Sequence, residues 1–158
     1  MSWLGQVETS ALSTWIRESS ALYAFPGILI VHTLGMALAA GSAAAIGLRL
    51  LGAARQIPLA SLRQLVPVAW IGLWLNIASG VLLVVAYPTK ALTNPIFYLK
   101  LLVIVTTVAI VRHLDHRVLA VEAPPRKLVP AALLVLTALA IVTGRLLPYT
   151  YRHILASH

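Results

Sequence analysis

The sequence predicts an all-α protein: a four-transmembrane-helix bundle with an N-terminal amphipathic helix lying in the membrane interface. Three observations support this fold class. Hydrophobic residues make up 60% of the 158-residue chain and charged residues only 10%, against ~25% charged in soluble domains. Four apolar runs each approach the ~20 residues that a spanning helix needs. Prolines and basic residues concentrate between the runs. The length suits one membrane domain, residues 1–158.

The first element is the segment 2–18, in which apolar and polar residues alternate at helical spacing. Trp3 and Trp15 are the aromatic type that anchors at a membrane surface. We therefore expect an amphipathic helix in the interface. The alternative is a partly ordered tail.

The four apolar runs predict four spanning helices, at about residues 21–51, 65–86, 95–116 and 128–148. The first run is too long for a signal peptide, and no basic segment precedes it. Pro26 suits the first turn of its helix, where its missing N–H costs nothing. Pro88 and Pro95 bracket the second loop, and we expect Pro148 to end or kink the fourth helix.

Basic residues predict the orientation of the bundle. One side carries seven of them, Arg49, Arg55, Arg63, Arg112, Arg117, Arg126 and Lys127. The other side carries three, Arg17, Lys90 and Arg152. Positive residues favour the cytoplasmic side. This predicts a multi-pass protein of the bacterial inner membrane with both termini in the periplasm. The net charge of +8 can indicate nucleic acid, but the apolar content favours the lipid bilayer as partner, with no nucleic acid.

Several kinds of chemistry are excluded or unsupported by the residue inventory. The chain has no cysteine, which excludes disulfides, iron–sulfur clusters and covalently attached haem. It carries no hydrolase elbow, phosphate loop or H-E-x-x-H motif. We therefore predict no stand-alone catalysis.

Polar residues inside the apolar runs are the informative ones, because each is costly in hydrocarbon. They are His32, Asn76, Ser79, Lys100, Thr106, Thr107, Thr137, Thr143 and Arg145. At ~1.5 Å per residue, His32 lies roughly 9 Å, Lys100 roughly 8 Å and Arg145 roughly 5 Å from the prolines that bound their helices. These three side chains are expected in one layer, with Ser79 and Tyr149 close by.

This layer holds cations and a histidine without a carboxylate, so an anionic ligand would complete it. Haem propionates, a lipid phosphate or a small anion all qualify. There are two alternatives without a ligand. In the first, His32 serves only as a hydrogen-bonding partner of a neighbouring Ser or Asn. In the second, Lys100 and Arg145 extend toward the lipid headgroups.

Small residues mark the expected helix contacts. They recur at helical spacing along three seams: His32, Gly35, Ala39 and Ser42; Gly72, Asn76, Ser79 and Leu83; Thr137, Ala140 and Gly144. Such seams let membrane helices approach closely. We therefore expect His32 between helices and take Asn76 and the threonines as interhelical hydrogen-bonding residues.

A second candidate cluster ends the third run. His113 and His116 are three residues apart and share a helix face, a spacing that can bind a metal, with Asp115 as an outer group. A charged helix end produces the same pattern.

Three motifs resemble a bacterial family of small four-helix membrane proteins of unknown function. They are LYAFPGILIVHTLGMALAAGSAAAIGLRLLG at Leu22–Gly52, NPIFYLK at Asn94–Lys100 and TGRLLPY at Thr143–Tyr149. The family pattern has a His and a Gly in helix one before an L-R-L-L-G exit, then N-P-x-F-x-x-K, then G-R and an aromatic residue. The resemblance implies that His32, Lys100 and Arg145 are the family's polar positions, and it supplies no activity. A more distant analogy connects the fold to b-type cytochromes and copper-resistance membrane proteins.

Two functions stay open from the sequence. The first is a haem-b-binding or electron-transfer subunit, in which His32 ligates the iron, Lys100 and Arg145 pair with the propionates, and a membrane or periplasmic redox partner or an oligomer completes the system. The second is a non-redox binding or accessory protein that holds an anion, a lipid headgroup or a copper ion at His32, or docks a partner helix. A transporter ranks last, because four helices are few for alternating access.

Overall fold

The computed structural model describes residues 3–116 and 126–156, with side chains described up to residue 146. Within these ranges the chain forms eight helices and no strand. They are α1 (Trp3–Glu8), α2 (Ala11–Glu18), α3 (Phe25–Leu51), α4 (Leu59–Leu62), α5 (Leu65–Ala86), α6 (Pro88–Leu92), α7 (Pro95–Leu114) and α8 (Leu128–Ala156). The predicted all-α class is confirmed.

Four of these helices, α3, α5, α7 and α8, include segments long and apolar enough to cross a membrane. Their outward faces expose large apolar side chains such as Leu34, Trp74, Leu102 and Val135. A water-soluble protein rarely exposes so much apolar surface, whereas lipid chains cover it without cost. The chain is therefore an integral, multi-pass membrane protein.

The long helices pack in the order α5–α3–α8–α7, and α5 lies much less closely against α7 than against α3. The largest apolar core lies where α3 ends and α5 begins. There Ile46, Leu62, Leu114 and Leu133 are buried together. We call this the opposite end of the bundle, and the end that carries α1, α2 and α6 the capped end.

Local sequence explains where the spanning helices begin and end. Pro26 lies in the first turn of α3, and Pro95 in the first turn of α7, where a missing N–H is tolerated. Asn94 caps α7 by accepting a 3.0 Å hydrogen bond from the N–H of Ile96. Gly52 closes α3 in the left-handed region at φ 109°, a conformation that glycine adopts without strain.

The N-terminal segment forms two helices rather than the single helix predicted for residues 2–18. The chain turns at Ser10, whose side chain accepts from the Ser13 N–H at 3.3 Å and so starts α2. Helix α2 packs against the end of α5, where the Ser13 hydroxyl donates to the Ala86 carbonyl at 3.2 Å. Arg17 pairs with Glu8 at 3.6 Å. Residues 3–18 are thus a packed cap, not a loose tail.

Two predicted boundaries were inaccurate. Helix α3 begins at Phe25 instead of residue 21. Pro148 does not end the fourth helix, which continues to Ala156. The starts of α5, α7 and α8 and the ends of α3 and α5 agree with the sequence prediction.

Candidate functional site

Side chains from three helices meet near the capped end of the bundle. The Nδ1 atom of His32 on α3 lies 3.1 Å from Oγ of Ser79 on α5. Its Nε2 atom lies 3.4 Å from Nζ of Lys100 on α7. The structure therefore brings together three of the residues predicted to share a layer. We call His32, Asn76, Ser79 and Lys100 the His32–Lys100 site.

The direction of each hydrogen bond follows from donor counting. The Ser79 hydroxyl donates its one proton to the Leu75 carbonyl at 2.6 Å, so its oxygen accepts from the imidazole N–H at Nδ1. The other ring nitrogen, Nε2, is then a bare acceptor that faces the Lys100 side chain. The histidine is held in one tautomer and one orientation by two neighbouring helices.

Asn76 ties the backbone of α3 to α5. Its amide Nδ2 donates to the His32 carbonyl at 2.9 Å and lies 3.5 Å from both ring nitrogens. The expectation that Asn76 joins two helices is confirmed. The same expectation for the threonines is wrong, because their hydroxyls donate to carbonyls of their own helices, at Thr106, Thr107, Thr137 and Thr143. Sequence reasoning left Asn76 out of the site, although its position three residues before Ser79 places both on one helix face.

Glycines make room for the two cation-capable side chains. A Cβ atom at Gly80 would lie 3.3 Å from Cε1 of His32, and one at Gly144 would lie 3.6 Å from Nζ of Lys100. At Gly72 a Cβ atom would lie 2.6 Å from the backbone N of Ala39. The seams predicted on α3 and α5 are thus confirmed as a contact, because these helices touch at backbone distance beside the site. In the third predicted seam, Thr137 and Ala140 line a cavity instead.

The site has no acidic partner among the described residues. The four acidic residues of the chain are Glu8, Glu18, Asp115 and Glu122. Glu8 pairs with Arg17 at the capped end, and Asp115 pairs with Arg63 at the opposite end, at 3.5 Å. Glu122 lies outside the described residues. In the described part of the bundle, the Lys100 ammonium therefore has a histidine nitrogen as its neighbour and no carboxylate.

One of the predicted site residues, Arg145, is not joined to this cluster. The Arg145 side chain is exposed, and among the described side chains it makes no hydrogen bond or ion pair with His32 or Lys100. Its neighbour Gly144 faces Lys100. The side chain of Tyr149 lies outside the described residues.

The second predicted cluster gains no support as a metal centre. His113 and His116 are both exposed. Within residues 3–116 and 126–146, no group of three His, Cys, Asp or Glu side chains is arranged to hold a metal ion. The Asp115 carboxylate faces Arg63 instead, as in the alternative interpretation of a charged helix end.

A cavity of about 80 Å³ extends from the site into the bundle. It begins at Asn76 and Lys100 and reaches Val111 near the opposite end. Helices α3, α5, α7 and α8 all contribute to its wall, which is mostly apolar. Sequence analysis did not predict it, because a void depends on how four helices diverge and not on any single residue.

The fold and the site define a class of protein: a polytopic helical membrane protein with a polar cluster and an adjoining cavity inside the bundle. No protein-family model, no curated protein and no solved structure matches this chain. The resemblance to a family of small bacterial membrane proteins stays a prediction.

Proposed function

We propose that this protein is a membrane-embedded binding protein that holds an anionic group at the His32–Lys100 site. One observation carries the proposal. The Lys100 side chain lies against His32 inside the bundle, and no described carboxylate pairs with it. A charge in a membrane interior is costly unless it is paired. An anionic ligand supplies the missing partner.

The surroundings of Lys100 support an anion more than a metal or haem. An axial ligand to haem iron needs a free imidazole nitrogen pointing at the metal. Here Nδ1 is bound to Ser79, and Nε2 faces the Lys100 ammonium at 3.4 Å. The residues present do not fit haem b or copper without rearrangement.

The binding proposal is tested with an anion titration. The purified protein, in phosphatidylcholine nanodiscs, is heated with and without inorganic phosphate or dodecanoate. We expect at least one of these acids to raise the unfolding temperature, because a ligand that binds only the folded state stabilises it. Lys100→Met should weaken the effect at least about tenfold in ligand concentration, since it removes a charge-assisted contact. Lys100→Arg should retain it.

The matched control is Lys127→Met, which removes an exposed lysine without touching the site. An equal response to acids in Lys100→Met and the parent protein would overturn the proposal. An absorption spectrum of the same sample tests the haem hypothesis. A Soret band that disappears in His32→Ala would restore the redox function in place of the anion site.

We further propose that the protein lies in the bacterial inner membrane with both termini in the periplasm. The seven-to-three distribution of basic residues supports this orientation. Because the chain has no cysteine, single cysteines can report it. Ser20→Cys, near the capped end, should react with a membrane-impermeant maleimide on spheroplasts. Gln56→Cys, in the first loop, should react only after lysis, and the reverse pattern would invert the assignment.

A further inference from the structure

We infer that the anion is the head group of a single-chain amphiphile, a fatty acid or a monoalkyl phosphate, whose chain lies in the cavity between α5 and α7. This inference rests on the proposed anion site and names its ligand class. It joins two features that are continuous in space. Lys100 and Asn76 belong both to the polar site and to one end of the cavity.

The cavity has the length and direction of an extended chain. Along α7 its wall runs from Lys100 to Val111, which is roughly 16 Å at ~1.5 Å per residue. Ile104 and Val108 lie between these two on the same wall. The cavity therefore continues along the bundle axis, away from the capped end.

The open side of the cavity is the gap between α5 and α7. Helix α3 packs on α5 and α8, and α8 packs on α7, while α5 and α7 have few close approaches. Trp70 and Leu73 of α5 line the same space as Ile104 and Val108 of α7. In a bilayer such a gap faces lipid chains, so an amphiphile can enter sideways from the membrane.

The wall chemistry suits a hydrocarbon chain rather than a polar ligand. Thr107 and Thr137 line the cavity, but their hydroxyls donate to carbonyls of their own helices, at 2.8 Å to Val103 and 2.7 Å to Leu133. Neither hydroxyl has a proton left for a ligand. The remaining wall is apolar, with alanines at five positions, Ala39, Ala40, Ala43, Ala69 and Ala140.

The alanines account for the free volume. Protein interiors are packed closely, and voids larger than a water molecule are few. A larger apolar residue at Ala140 would fill the space without burying a polar group. The chain thus keeps a cavity beside a cation, the arrangement expected for a ligand with one acidic end and one apolar chain.

The experiment uses Trp70 as a reporter, because it lines the cavity. In a variant with Trp3→Phe, Trp15→Phe and Trp74→Phe, only this tryptophan of the four remains. The protein in phosphatidylcholine nanodiscs is titrated with dibrominated stearate, whose bromine atoms quench fluorescence on contact. We expect saturable quenching, with half-saturation at least about tenfold higher in Lys100→Met. Ala140→Leu should abolish the saturable part.

Two matched controls separate binding from partition into lipid. A variant that retains only Trp74, which is 64% exposed on the outer face, should show quenching that rises with stearate content and ignores Lys100→Met. Ala138→Leu adds the same side chain as Ala140→Leu at an exposed position of α8 and should leave the saturable quenching of Trp70 intact. Competition by unbrominated dodecanoate or by dodecyl phosphate identifies which head group is preferred.

The outcomes distinguish the two proposals. If inorganic phosphate or acetate stabilises the protein through Lys100 as strongly as dodecanoate does, and Trp70 shows no saturable quenching, the anion site stands and the amphiphile is wrong. If no acid of either kind acts through Lys100, both proposals fail. Saturable quenching that survives both Lys100→Met and Ala140→Leu would also overturn the amphiphile proposal.

Discussion

Helix α5 lies against α3 through glycine, but a cavity whose wall includes five alanines separates it from α7. At Gly72 an added Cβ would come within 2.6 Å of the Ala39 backbone N, and at Gly35 within 2.7 Å of the Asn76 N. On an adjoining face of α5, Trp70 and Leu73 border a cavity of about 80 Å³. Both faces of the helix therefore depend on small residues, with opposite results.

The contrast shows what a small residue contributes inside a membrane. Lipid chains are as apolar as leucine, so helices associate through close packing and hydrogen bonds. Glycine allows the backbones of α3 and α5 to meet, and Asn76 adds an interhelical hydrogen bond there. Where α5 and α7 diverge, the alanines in the cavity wall are too small to fill the space between the helices. The glycines thus stabilise the contact between α3 and α5, and the alanines leave space that a ligand can occupy.

The largest expected effect on stability comes from adding a methyl group where α3 and α5 touch. Gly72→Ala should destabilise the protein by about 2 kcal/mol, since overpacking forces two backbones apart. The measurement is the unfolding of detergent-solubilised protein by increasing fractions of SDS, followed by circular dichroism. The matched control is Gly41→Ala on α3, where a Cβ meets nothing within 4 Å. Equal stability of the two variants would contradict the role assigned to the glycine contact.

A gain in stability is expected when a side chain is enlarged in the cavity between α5 and α7. Ala140→Leu should stabilise the ligand-free protein by about 1 kcal/mol, because filling part of a void restores lost packing contacts. The same SDS titration measures this change, with Ala138→Leu as the exposed control. A loss of stability in Ala140→Leu would show that the cavity cannot accept added side-chain atoms.

A smaller loss is expected when the hydrogen bond beside the glycines is removed. Asn76→Leu should cost about 1 kcal/mol, within the range measured for interhelical hydrogen bonds in membranes. Thr106→Val serves as the control, because the exposed Thr106 hydroxyl bonds only within its own helix, to Leu102 at 2.8 Å. Comparable losses of stability in both variants would show that the interhelical hydrogen bond of Asn76 contributes no more than a bond within one helix.

The smallest effect concerns the cap. Ser13→Ala deletes the hydroxyl that donates to the Ala86 carbonyl and should cost about 0.5–1 kcal/mol. Limited proteolysis of residues 3–18 is the sharper measurement, and we expect faster cleavage in this variant. Ser61→Ala, at an exposed position of α4, is the control. Unchanged cleavage would indicate that the Ser13 hydroxyl does not hold the cap in place.

Much of the fold could be predicted because membranes constrain sequences strongly. Four apolar runs gave four helices, and the spacing of His32 with Gly35 placed both on the face that meets α5. The N-terminal segment differed because Ser10 both ends one helix turn and caps the next, a competition that amphipathic spacing does not reveal.

The site was predicted in part. The sequence did not reveal which way the side chains of α8 point or that a cavity adjoins the site. Depth along a helix follows from residue counting, and it correctly placed His32, Ser79 and Lys100 in one layer. The direction around the helix decides which residues of α8 face the site. Gly144 faces Lys100, whereas the adjacent Arg145 is exposed. The cavity depends on the divergence of α5 and α7, which no local pattern encodes.

The cap also carries a consequence for how the protein is made. Ser13 bonds to a carbonyl 73 residues further along the chain, and the Glu8 carboxylate accepts from Thr89, 81 residues away. Chains are synthesised from the N-terminus, and early segments wait for later partners. Helices α1 and α2 cannot take their final places until α5 has been inserted and α6 has emerged. Residues 3–18 therefore dock only after segments that are synthesised much later have emerged.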